Sequence, residues 1–327
     1  MSLVIHHKDI SFFLLSITED LPTYGPIEDK EGTKSRFRFG RIRRAKDYSM
    51  YYGPTVIPPK KYLFPAKEDV MKFEKGEILP PTNKDFVIFG VNKKDGEGLF
   101  YLDEIYKLPT PDTHYTERRK HMKLIIVDSL PPSNNVSCDL YLQIVDGEHL
   151  SAFPFTEYGE NLIANNPLFG REGDVGAISV KHMSDDILYH PRLAEIVEKS
   201  RNDKIWDEIA KVCFNCGVCS YVCPLCYCYE QEDRIDITGN VKNDIKGGRE
   251  RRWDSCMLPD FAALPFKDFR DNHKDRVYSW YFHKFVRMPR EYGFPGCIDC
   301  GRCIVYCPAR INYRKVLKRL IDNEKRK

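Results

Sequence analysis

No run of apolar residues in this 327-residue chain approaches the roughly 20 that a membrane-spanning helix needs. The longest, around Phe12 to Leu15 and Leu124 to Val127, end after a few positions. Charge of one sign is also missing: 51 lysines and arginines face 48 aspartates and glutamates, a net +3, so composition offers no footprint for a nucleic-acid partner. The opening "MSLVIHHKDISFFLLSITED" interrupts its apolar residues with Lys8, Asp9 and Asp20 and lacks the layout of a signal peptide, which predicts a cytoplasmic protein with no membrane span. Walker A, H-E-x-x-H and G-x-S-x-G patterns do not occur, and the nine histidines form no ligand spacing. "FGREGDVGA" places Gly170, Gly173 and Gly176 in an order that is not G-x-G-x-x-G, so no nucleotide site is read there. No residue presents itself as catalytic.

Cysteine, by contrast, is plentiful. A reducing cytoplasm disfavours structural disulfides, which leaves metal binding, catalysis or burial for the 12 thiols. Eight of them fall into two identical C-x2-C-x2-C-x3-C-P patterns: Cys213, Cys216, Cys219, Cys223 with Pro224, and Cys297, Cys300, Cys303, Cys307 with Pro308. Three thiolates at two-residue gaps let a turning backbone aim three sulfurs at one iron-sulfur cubane, and the fourth is carried toward a neighbouring one. In two-cluster ferredoxins that fourth cysteine ligates the other cluster. The spacing thus predicts two 4Fe-4S clusters, the first held by Cys213, Cys216, Cys219 and Cys307, the second by Cys297, Cys300, Cys303 and Cys223. Proline fixes the backbone after each fourth cysteine, and Gly217 and Gly301 occupy the same slot of each motif, where a side chain would obstruct the turn. Zinc is the competing occupant, but its ligands usually come as separated C-x2-C knuckles without the trailing C-P. For Cys226, Cys228 and Cys256 a packing or supporting role near a cluster is expected rather than ligation. Cys138 reads as a small buried hydrophobe.

The remaining sequence predicts an α+β chain in two parts. Residues 1–190 carry short apolar runs, "KDFVIFGV", "KLIIVDSL" and "LYLQIV", separated by proline and glycine clusters, the pattern of a strand-rich domain. Residues 191–327 read as an α-helical two-cluster ferredoxin domain. The apolar spacing of Leu193, Ile196, Val197, Ile205, Ile209 and Val212 predicts one helix delivering the chain into the first cluster loop. Val316, Leu317, Leu320 and Ile321 predict an amphipathic helix at the end. The stretch of about 70 residues between the motifs exceeds a compact ferredoxin repeat and implies an insertion.

Read together and in order, "PPKKYLFP" at 58–65, "FVIFGV" at 86–91, the first cysteine motif continued to Tyr229, "RERRWDSC" at 249–256, "HKF" at 283–285 and "CIDCGRCIVYCPARI" at 297–311 carry a family likeness. They resemble the iron-sulfur beta subunit of cytosolic sulfhydrogenases and NADP-linked nickel-iron hydrogenases, a family that includes the A subunit of anaerobic sulfite reductase. The resemblance implies a relay within a hetero-oligomer, between a flavin-containing NAD(P)H-binding subunit and a catalytic redox subunit. This chain departs from the family pattern at Lys93, Lys94 and Asp95 and at Ser129, so the shared machinery is the two-cluster half. Two alternatives stand beside a hydrogenase relay: electron transfer to a sulfite, sulfur, formate or tungsten-dependent enzyme, and a scaffold whose clusters are structural.

Overall fold

The computed structural model describes residues 2–29, 36–74, 77–79, 83–172, 186–236 and 246–326. Gly173 and Gly176 of the glycine-bearing stretch lie outside them. The chain divides into two compact units, Met1–Leu63 with Asn83–His182, and Phe64–Thr82 with Met183–Lys327. Strands and helices of the first part run β1 (Ser2–His6), α1 (Ile10–Asp20), β2 (Thr23–Asp29) and β3 (Arg36–Arg41). Next come β4 (Lys67–Glu74) and β5 (Glu77–Leu79), which belong to the second unit. The chain then returns to the first with β6 (Phe86–Val91), α2 (Lys93–Lys107), α3 (Thr113–His121), β7 (Met122–Asp128), β8 (Leu140–Ile144), β9 (His149–Pro154), α4 (Glu157–Ala164) and β10 (Phe169–Glu172).

The first unit is built on one eight-stranded sheet of order β10-β1-β9-β8-β7-β6-β2-β3. Its centre is parallel, β2 with β6, β6 with β7 and β7 with β8, and antiparallel strands flank it on both sides. That explains why "FVIFGV" and "LIIV" are continuously apolar: parallel strands are covered on both faces and show no alternation. Phe13, Leu14 and Ile17 of α1 pack with Phe89, Ile125 and Leu140 on one face. On the other, α2 passes so close to β7 that a Cβ on Gly96 would stand 2.4 Å from Ile126 Cδ1. The Asn92 side chain caps α2 by accepting from the Asp95 N–H (2.8 Å). The strand-rich reading of this region is borne out, and the structure adds the four helices.

The second unit contains α5 (Leu193–Lys199), α6 (Lys204–Val212), α7 (Val218–Tyr221), β11 (Tyr229–Asp236), β12 (Lys246–Trp253), a two-stranded turn of β13 (Ala263–Leu264) and β14 (Lys267–Asp268), α8 (His273–Phe282), a π-helical turn His283–Arg287, α9 (Met288–Tyr292), α10 (Arg302–Val305) and α11 (Tyr313–Lys325). Its four-stranded sheet has the order β11-β12-β4-β5, so the insertion between the motifs supplies two strands and the segment 64–82 the other two. Where one helix is expected to enter the first loop, the structure has two. Ser200–Asn202 forms a 3-10 turn, and Asp203 starts α6 afresh by accepting from the Ile205 N–H, a capping geometry that competes with continued helix. Trp206, wholly buried, lies against the rings of Tyr278 and Tyr281, and Phe285 stacks on Tyr313 of α11. This aromatic core is the floor against which Cys213, Cys219, Cys228, Cys297 and Cys303 pack.

Candidate metal centre

Both cysteine motifs fold the same way. α6 ends at Val212 and its C-cap is Cys213; two residues on, Asn215 turns to φ 49°, and Asp299 does so at 54° in the equivalent slot after Cys297. Gly217 and Gly301 follow at φ 73° and 74°, each as the N-cap of a one-turn helix, α7 and α10, and these two short helices pack on each other. Left-handed backbone at these positions turns amide hydrogens toward sulfur. Asn215 N–H donates to Cys213 Sγ (3.5 Å) and Asp299 N–H to Cys297 Sγ (3.4 Å). Ile311 N–H donates to Cys307 Sγ (3.4 Å), after a third left-handed residue, Arg310 at φ 54°. Such bonds favour the thiolate over the thiol and so prepare the sulfurs as ligands.

The first three cysteines of motif one share a cavity with the last cysteine of motif two. Cys213, Cys216, Cys219 and Cys307 line a cavity of about 60 Å³ with Trp280, Tyr281 and Met257 among its apolar walls, room well beyond the ~10–15 Å³ that one water takes. Burial pushes the Cys213 thiol up, and Cys307 and Cys216 add to it, partly offset by the Asn215 N–H. Burial pushes Cys219 up to about 12, with Cys213, Cys216 and Cys307 adding to it and Lys284 opposing. The mirror group forms around the fourth cysteine of motif one. Burial raises Cys303, reinforced by Cys297, Cys223 and Cys300, and burial raises Cys297, which also feels Cys223. Cys303 additionally reaches the wall of the first cavity. Several thiols gathered at one apolar-walled cavity suit a thiophilic group. The donor set therefore fits an iron-sulfur cluster. Among the described residues no three His, Cys, Asp or Glu side chains are grouped to share one metal ion.

The remaining cysteines take different places. Cys226 hydrogen-bonds Cys223 and that bond, with burial, holds its thiol well above the ordinary value; Cys228 is raised by its bond to Cys256 and by burial. Cys138 is buried in the first unit and pushed up to about 12 by desolvation, the state of an inert thiol. Lys284 was not singled out as a functional residue by the sequence, yet its ammonium touches Cys223. The signal was available: Trp280 and Met288, four residues to either side, are both buried, so a lysine between them falls on an apolar helical face.

Residues 212–311, which hold all eight motif cysteines, match the family model described as a 4Fe-4S dicluster domain, so this stretch is similar to iron-sulfur domains of that kind. Over nearly its whole length it is similar to the beta subunit of sulfhydrogenase 2 from Pyrococcus furiosus, with 28% identity covering 96% of this chain and 96% of that protein. The likeness to sulfhydrogenase beta subunits carried by the motifs thus extends through both units. A shorter stretch, 21% of this chain and 30% of the relative, is 26% identical to one of the subunits of the ferredoxin:CoB-CoM heterodisulfide reductase from Methanosarcina acetivorans. No solved structure matches. Among the described residues no helix is long and apolar enough to cross a membrane.

Proposed function

We propose that this chain is the electron-transfer subunit of a multi-subunit cytoplasmic oxidoreductase, relaying electrons through two 4Fe-4S clusters between a flavin and NAD(P)H-binding subunit and a catalytic module, with a hydrogenase or sulfhydrogenase leading. The observation that supports this reading is that Cys307 of the second motif lines one cavity with Cys213, Cys216 and Cys219 of the first, as the exchanged fourth cysteine of a two-cluster ferredoxin would. Cys213, Cys216, Cys219 and Cys307 would hold one cluster, and Cys297, Cys300, Cys303 and Cys223 the other. Bound there, the clusters supply reversible one-electron chemistry. The protein's share is to present thiolates, to donate backbone N–H groups to their sulfurs and to set the apolar side chains of Trp280, Tyr281 and Met257 beside them, the means by which a protein adjusts a cluster's potential.

The beta-subunit name of the Pyrococcus relative supports a place in a hetero-oligomer, and the strand-rich part, within residues 1–190, is the surface we assign to docking partners. The heterodisulfide reductase likeness, confined to a short stretch, suits a relay half shared among complexes with different catalytic ends. Anaerobic isolation of the native complex through this chain, with subunit identification and metal quantitation, tests the proposal. About eight irons on this subunit, beside a flavoprotein and a nickel subunit, is the expected result. Another catalytic metal would keep the relay and replace its terminal, and zinc in place of iron would overturn it.

A further inference from the structure

We infer that Lys284 is part of the second site and that its ammonium raises the electron affinity of the cluster held by Cys297, Cys300, Cys303 and Cys223, an inference that rests on the two-cluster reading above. Lys284 is 3% exposed. Its Nζ donates to Cys223 Sγ at 3.2 Å and to the Gly296 carbonyl at 2.9 Å, and lies 5.2 Å from the centre of the Trp280 ring. The sulfur, the carbonyl and the π face give Nζ three receiving partners, one for each N–H of an ammonium. A buried cation is costly unless negative charge stands beside it. None of the three partners is a carboxylate; the thiolate and the cluster it would bind are the counter-charge.

The backbone fixes the lysine to both segments that the crossed site joins. Gly296, which immediately precedes Cys297, donates its N–H to the Lys284 carbonyl (2.7 Å) while its own carbonyl receives the Nζ. A Cβ on Gly296 would stand 2.9 Å from Lys284 Cα, so only glycine permits this approach. Lys284 sits in the π-helical turn His283–Arg287, a form of helix that frequently marks functional positions because the extra residue re-aims a side chain. One residue therefore grips Cys223 from the first motif and the entrance to Cys297 in the second, and it touches no sulfur of the first site within hydrogen-bond reach among the bonds described. An N–H donor and a positive charge at a ligand sulfur stabilise the reduced, more negative cluster. The second cluster becomes the one on which an electron rests.

The test is an EPR-monitored redox titration of the complete complex carrying wild type, Lys284→Gln or Lys284→Arg, the second cluster's signal being the one that Cys223→Ser abolishes. At a fixed solution potential the reduced-to-oxidised ratio of the second cluster should fall about tenfold in Lys284→Gln, equivalent to 59 mV for one electron. The first cluster's ratio should stay nearly unchanged, and Lys284→Arg should recover most of the loss. Equal displacement of both clusters, or none, overturns the inference. If the glutamine variant does not take up the second cluster, ¹⁵N-lysine protein of wild-type sequence decides: spin-echo spectra of the reduced second cluster must show a nitrogen coupling absent from the first, and its absence overturns the inference. Wild-type protein lacking two cluster signals overturns the two-cluster reading itself.

Discussion

Cys223 and Cys307 are the two cysteines that the proposed crossed ligation assigns away from their own motifs, and substituting them tests it. Cys223→Ser is expected to remove the cluster built mainly on Cys297, Cys300 and Cys303, leaving about four irons and the signal of the other cluster. Cys307→Ser is expected to remove the one built on Cys213, Cys216 and Cys219. Iron analysis with EPR distinguishes this from uncrossed ligation, in which each variant would lose the cluster of its own motif. A second residue yields a pH dependence. Burial, with Lys284, Arg287 and Arg270 adding positive charge nearby, lowers His283 to about 4, and its ring contacts the Tyr227 hydroxyl at 3.3 Å. An unfolded histidine titrates near ~6.5, so between that value and about 4 the unfolded chain binds the extra proton and stability falls as pH falls. Relative to wild type, His283→Gln should flatten that slope in urea midpoints measured from pH 7 to 4, by up to roughly 3 kcal/mol over the window. Parallel pH profiles would show that His283 is not the group responsible.

At the scale of elements, the two cluster loops repeat one backbone path with different surroundings. Both Gly217 and Gly301 have left-handed φ, but a Cβ at Gly217 would stand 3.0 Å from Ser255 Cβ and from Tyr221, whereas Gly301 faces open space. Gly301→Ala should therefore cost about 1–2 kcal/mol, the penalty of the backbone conformation alone, and Gly217→Ala distinctly more. Denaturant midpoints of the two variants check the order, and equal losses would mean that crowding by Ser255 has no effect. The sequence announced these loops because thiol spacing and glycine position are set locally by the turn itself. Strands β6, β7 and β8 were legible for a related reason: burial on both faces leaves an unbroken apolar run. The break between α5 and α6 was not, since Leu193, Ile196, Ile205 and Ile209 keep an apolar face across it, and only the capping bond of Asp203 reveals that the chain restarts.

For the molecule as a whole, the segment 64–82 was the least legible part. "FPAKEDVMKFEKGEIL" has no local mark that sends it to a partner strand far along the chain, and its membership is decided by long-range pairing. Buried Arg251 on β12 donates through Nε to Glu68 on β4, 183 residues away (2.8 Å), with its guanidinium over the Phe64 ring. Trp253 Nε1 donates to the Phe64 carbonyl (3.1 Å). A fragment beginning at residue 183 keeps every cysteine of the two motifs but leaves Arg251 without its carboxylate, and breaking a buried pair costs about 3–5 kcal/mol. Such a fragment should be recovered insoluble or without iron, while the full chain prepared alongside is loaded. Soluble fragment with about eight irons would show that β4 and β5 are dispensable.

The same arrangement has a consequence for synthesis. β4 leaves the ribosome long before β12 exists, and at about 5–20 residues per second it waits roughly ten to thirty seconds for its neighbour. The second unit therefore draws on two stretches of chain that are made at well separated times. Under the crossed ligation proposed above, each cluster would draw ligands from both motifs, so neither could be completed until the second motif has been made.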